Sequence, residues 1–111
     1  MIKLTSLLRR RPDLTREEFD RYWREQHGPL IRSTRSGSYV LRYLQHPAAG
    51  SGGRWDGVTE QWFESMDSFW ASLREDDYHR IEADLPNFLD VDSIEFVLTD
   101  EPRIVIERDG R

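Results

Sequence analysis

Cysteine is absent from this chain, which removes disulfides, thiolate metal sites and a cysteine nucleophile together and fits a reducing cytoplasm as the expected location. Long hydrophobic runs are absent as well. No segment is apolar enough to cross a bilayer and no basic stretch leads into an apolar core at the amino terminus, so no membrane partner is expected. Positive charge is scarce: 16 Lys and Arg against 21 Asp and Glu give a net charge of -5, the wrong sign of field for nucleic acid. The one basic run, Arg9 to Arg11, reads as a solvated strand end. There is no glycine-rich phosphate loop, no Gly-x-Ser-x-Gly elbow and no dinucleotide fingerprint, so no nucleotide cofactor is expected. The three histidines, His27, His46 and His79, fall on separate elements without metal-ligand spacing, and no dedicated metal site is expected.

Large rings are abundant. Four Trp, four Tyr and five Phe in 111 residues must supply much of the burial, and rings of that size also line pockets. Residues 1–111 read as a single domain, small enough that apolar surface stays exposed unless a partner covers it.

Met1 to Arg9 reads as a buried strand ended by Pro12 and Asp13. Thr15 with Glu18 forms a capping box that starts a helix, on which Phe19, Trp23, His27 and Leu30 make one apolar stripe before Gly28 and Pro29 end or kink it. Near-alternation from Tyr39 to Gln45 predicts a second strand with Tyr39 and Tyr43 on one face, and residues 47–53 a flexible loop. Asp56 to Phe63 reads as a third strand; Ser65 and Asp67 open a second helix, and a further helical stretch runs to Leu85 before Pro86. Ser93 to Leu98 is a fourth strand, which Arg103 to Glu107 extends or follows as an edge arm. The order βαββαβ is that of a ferredoxin-like α+β domain, a four-stranded antiparallel sheet with both helices on one face. Its bare face calls for a second copy, two sheets enclosing a barrel.

The acid/base candidates are His27, His46, His79, the phenols Tyr22, Tyr39, Tyr43 and Tyr78, and the acids Asp56 and Glu60. His27 comes first, an imidazole on the apolar side of a helix at its end; a satisfied core histidine is the plainer reading of the same position. Glu60 shares a strand face with Val58 and Trp62, where desolvation raises a carboxyl pKa, unless an arginine across the sheet pairs with it. Tyr39 and Tyr43 could hydrogen-bond an enolate or phenolate, and His46 stands at a strand end near a pocket mouth.

The segment Phe19, Tyr22, Trp23, His27, Gly28, Pro29, Leu30, preceded by Arg10 to Thr15, resembles the EthD-like family of the dimeric α+β barrel superfamily. Trp55 to Glu60, Trp62 and Phe63, then Ser65 to Phe69, are similar to that family's third strand and second helix. The resemblance implies a homodimer with an apolar pocket in each half. It also implies cofactor-independent proton transfer on a hydrophobic carbonyl or phenolic small molecule, as in isomerases, polyketide cyclases and decarboxylases. It makes His27 the leading acid/base. Read from the residues themselves, Tyr39 or Glu60 is expected to relay charge, with Tyr22, Trp23, Tyr43, His46, Asp56, Trp62, Trp70 and Phe88 around the substrate. The cysteine of some isomerase relatives is missing here. A non-catalytic carrier of a hydrophobic metabolite or haem, and a barrel filled with side chains, are the competing readings.

Overall fold

The computed structural model describes residues 1–109. Four strands, β1 (Ile2–Leu8), β2 (Arg42–Pro47), β3 (Gly57–Phe63) and β4 (Glu95–Thr99), form one antiparallel sheet in the order β2-β3-β1-β4. The helices α1 (Arg16–Tyr22), α2 (Gly28–Ser33), α3 (Met66–Leu73) and α4 (Tyr78–Asp84) complete a ferredoxin-like α+β domain. No helix among the described residues is long and apolar enough to cross a membrane.

The capping box at Thr15 forms as expected: its hydroxyl accepts the Glu18 N–H, and the Glu18 carboxylate accepts the Thr15 N–H. The helix does not end at Gly28 and Pro29. A single π-turn, Trp23–His27, joins α1 to α2, and the Gly28 N–H reaches back to the Trp23 carbonyl. In an ideal α-helix a spacing of four residues drifts by about 40° per step. The wider π-turn takes up that drift, so Phe19, Trp23, His27 and Ile31 all stay buried. Ile31, rather than Leu30, therefore ends the stripe. Pro29 is tolerated because its missing N–H falls where the ladder is already shifted.

Register decides which residues share a layer. Leu4 opposes Gln61, Ser6 opposes Thr59 and Leu8 opposes Gly57, so these side chains lie under the helices. The alternate set, Lys3, Thr5 and Leu7 with Val58, Glu60 and Trp62, occupies the face without helices. Leu8, Phe19, Trp23, Phe88 and Leu89 make the core cluster. Trp23 closes over Gly57 so tightly that a Cβ there would lie 2.7 Å from the indole.

One expected strand is corrected, and one of the two readings of residues 103–107 is excluded. Tyr39 is not in β2 but in a 3₁₀ turn, Gly37–Tyr39. A Cβ at Gly37 would sit 1.8 Å from the Ile31 carbonyl oxygen, so the chain folds back against α2 before the strand starts at Arg42. Residues 103–107 do not extend β4, and they carry exposed Ile104, Val105 and Ile106. The run Arg9 to Arg11 is more than a solvated end. Arg10 bonds Asp56 through its backbone N–H and guanidinium, and Arg11 pairs with Asp13 while donating to the Asn87 carbonyl.

Candidate active site

A cavity of about 400 Å³ lies between the sheet and the helices. Its floor is Leu4, Ser6, Leu8, Thr59, Gln61 and Phe63; Trp23, His27 and Ile31 line it from the first helical layer, and Phe69, Tyr78, Ile81, Leu85 and Phe88 from the second. Such an apolar hollow with few polar groups is the usual form of a small-molecule site.

His27 is buried on its wall, against the Phe88 ring at 4.7 Å between centroids. Its Nδ1 lies 2.8 Å from Asp84 Oδ2, at the end of α4. Asp84 Oδ1 accepts the Tyr22 hydroxyl and the Asn87 side-chain amide, the latter at 2.9 Å. An ionised carboxylate only accepts, so Nδ1 carries the proton and Nε2, which has no protein partner among the described residues, carries the lone pair. Burial lowers the His27 pKa, and the Asp84 carboxylate opposes that shift. Burial would raise Asp84, but its hydrogen bonds from Tyr22, Asn87 and His27 leave it below the ordinary carboxylate value. Desolvation and the Asp84 charge raise the Tyr22 phenol. The result is a neutral, oriented imidazole beside a carboxylate that stays charged.

Further polar groups reach the cavity. Burial raises the Tyr43 phenol, opposed by the Gln45 amide and the nearby Trp23 indole, and burial likewise raises Tyr78. Both are therefore hydrogen-bond donors at neutral pH. Among the described residues Trp23 Nε1 is a buried donor with no hydrogen-bond partner. No group of His, Asp and Glu among the described residues could hold a metal ion.

The EthD domain model matches residues 11–92. The chain belongs to the EthD family. Solved structures show the same fold at low identity. An EthD family protein from Bacillus halodurans is similar at 19% identity and a TM-score of 0.74, over 92% of this chain and 99% of that one. An EthD-like protein from Ralstonia eutropha matches at 20% identity and a TM-score of 0.64, over 99% and 97% of the two chains. SnoaB from Streptomyces nogalater, a cofactor-independent oxygenase, matches at 10% identity and a TM-score of 0.65, over 96% and 97%. No curated protein matches the chain.

On this EthD fold the candidates read from sequence separate into two groups. His27, Trp23, Tyr43 and Phe88 line the cavity, and Tyr22 stands behind His27 through Asp84. Glu60, His46 and Trp62 lie on the opposite face of the sheet. There Glu60 accepts from Lys3 at 2.8 Å and pairs with His46 at 2.9 Å, while Lys3 and Arg42 cover the Trp62 ring. The Glu60 carboxyl is lowered, chiefly by the Lys3 hydrogen bond, where desolvation alone would raise it. Tyr39 donates to Glu75 at 2.6 Å and does not line the cavity with Tyr43. Asp56 is held by Arg10, Trp70 is exposed on α3, and His79 is exposed with its ring on the Asp76 carbonyl.

Asp84 and Asn87 were not among the sequence candidates. One feature marks Asp84 in the sequence: a carboxylate in the last turn of a helix opposes the macrodipole and needs a compensating donor.

Proposed function

We propose that this protein is a cofactor-independent enzyme that moves a proton to and from a hydrophobic carbonyl or phenolic small molecule, in lyase, isomerase or cyclase chemistry. One observation carries the reading: Asp84 fixes His27 through Nδ1 and leaves Nε2 unbonded on the wall of an apolar cavity. Nε2 takes a proton from a phenol or from the carbon beside a carbonyl. Asp84 stabilises the imidazolium formed, and the proton returns at a second position. Because burial keeps the imidazole neutral, it is ready as a base at pH 7. The Tyr43 and Tyr78 hydroxyls supply donors for the oxygen that gains charge. Polyketide or aromatic intermediates suit the size and polarity of this cavity, and the absence of cysteine suits work in a reducing cytoplasm.

The active form in this proposal is a homodimer, its bare sheet faces packed together. Structures of the same fold include a dimeric ferredoxin-like protein from Thermobifida fusca. The test is hydrogen exchange in deuterated water with a panel of β-diketones and phenols. Tryptophan quenching identifies the compounds that bind, and NMR follows their carbon-bound protons. Wild type should accelerate exchange and His27→Gln should not. Compounds that bind without exchange in wild type would place the chain among carriers instead.

A further inference from the structure

The sheet face under the helices is where apolar side chains are expected, yet five adjacent positions on it are polar. In register, Gln45 opposes Thr59 and Thr59 opposes Ser6, while two residues along the strands Tyr43 opposes Gln61. Alternation puts all five on the helix side, and Ser6, Tyr43, Thr59 and Gln61 line the His27 cavity. Two of the five satisfy each other. Gln45 Nε2 donates to the Trp23 carbonyl at 2.9 Å and to the Tyr43 hydroxyl oxygen at 3.2 Å. A carbonyl only accepts, so the amide orientation is fixed and both its hydrogens are used.

Ser6, Thr59 and Gln61 are different. Among the described residues none of their side chains makes a hydrogen bond, not even Ser6 with Thr59, which are directly opposed. Nor are they sealed in the core, since Trp23 Nε1 is the one fully buried side-chain polar atom without a partner among the described residues. Thr59 is only 6% exposed and lines the cavity, so its hydroxyl opens onto that space. The three positions lie within about 8 Å of one another, directly or diagonally opposed. Unpaired hydroxyl and amide groups in place of apolar side chains are a cost that a polar occupant offsets. Charge narrows the choice of occupant. No Lys, Arg, Asp or Glu lines the cavity among the described residues, and burial lowers the pKa of His27, its one basic group. Neutral oxygens suit such a lining, whereas a carboxylate or phosphate would arrive without a counter-charge.

We infer that Ser6, Thr59 and Gln61 form a subsite for a second, uncharged oxygen of the ligand, a hydroxyl or a ketone, on the sheet side of the cavity across from His27. The molecules this cavity takes are then neutral and carry at least two oxygens, one presented to His27 and one hydrogen-bonded to the floor, which fixes their orientation. Hydroxyls and a primary amide both donate and accept, so the subsite holds a hydroxyl and a ketone alike. The inference rests on the reading of the cavity as a small-molecule site, and not on proton transfer at His27.

Calorimetric titration at pH 7 tests it, comparing naphthol with several dihydroxynaphthalene isomers and with a hydroxynaphthoate. At least one diol should bind about 2- to 12-fold more tightly than naphthol, the worth of one neutral hydrogen bond, and the hydroxynaphthoate should bind more weakly than naphthol. Thr59→Val and Gln61→Leu keep the bulk of the side chains and remove their hydrogen-bonding groups. Each should lower the preference for the diol, and the double variant should abolish it, while naphthol affinity stays within about twofold of wild type. Diols that bind no better than naphthol, or a preference that survives the double variant, would overturn the subsite and leave the floor to water. A hydroxynaphthoate held as tightly as the diol would overturn the restriction to neutral oxygens. If no naphthol bound at all, the small-molecule reading of the cavity would fall and the subsite with it; binding without diol preference would remove the subsite alone.

Discussion

Asp84→Asn removes one charge and changes little else in shape. With its oxygen toward His27 the asparagine still accepts the Nδ1–H, and its NH2, now in the other position, can donate to the Tyr22 hydroxyl, so the fold should survive. What disappears is the negative partner of the imidazolium formed during turnover. Hydrogen bonds to charged groups contribute about 1.5–3 kcal/mol, and the Asp84 side chain is only 12% exposed, so water screens little of it. At 1.36 kcal/mol per factor of ten, turnover should fall by about 10- to 150-fold. The pH dependence should move too. Burial pulls the His27 pKa down and Asp84 opposes it; without that opposition the acidic limb of the rate profile shifts to lower pH. The assay is steady-state proton exchange on a binding compound from pH 4 to 9, with thermal unfolding as the control. Unchanged turnover and an unmoved limb in a folded variant would refute the dyad.

Three further outcomes follow from the same geometry. Lowering the pH below the ordinary imidazole value of 6.5 should lower the unfolding midpoint. A histidine whose folded pKa is depressed binds more protons when unfolded, so its penalty grows as pH falls towards the folded value; His27→Gln should flatten that slope in thermal scans. Gly57→Ala should cost about 1–3 kcal/mol by denaturant titration, because its Cβ meets a fully buried Trp23 that has nowhere to move, and a neutral result would mean the β3–Trp23 contact is looser than described. Glu60→Gln should change exchange turnover less than about threefold, far below the 10² to 10⁴ of a positioned acid/base, since Glu60 lies on the sheet face away from His27; a larger loss would return it to the catalytic set.

The sequence made the helix start and the inward His27 legible because both are local: a capping box and a spacing of four residues. The continuation through Gly28 and Pro29 was hidden, since a π-turn has no marker in composition and glycine followed by proline ordinarily reads as a stop. Glu60 was misplaced for a different reason. Both faces of β3 carry large apolar side chains, Val58 and Trp62 on one and Phe63 on the other, so alternation identifies the strand without saying which face the helices cover. Tyr39 reads as part of β2 because its alternation with Leu41 and Tyr43 looks like a strand, while the backbone approach at Gly37 that forbids one is a tertiary contact. The Asp84 partnership spans 57 residues of chain and exists only once α4 packs across the π-turn.

The central claim is that His27 waits as a neutral base, protonated at Nδ1 against Asp84 and open at Nε2 to the cavity. Nitrogen-15 NMR of the imidazole at pH 7, with and without a binding phenol, tests this most directly. The account predicts a protonated Nδ1 and a bare Nε2 whose resonance moves when the phenol binds. A proton on Nε2, or an imidazolium in the free protein at that pH, would contradict it.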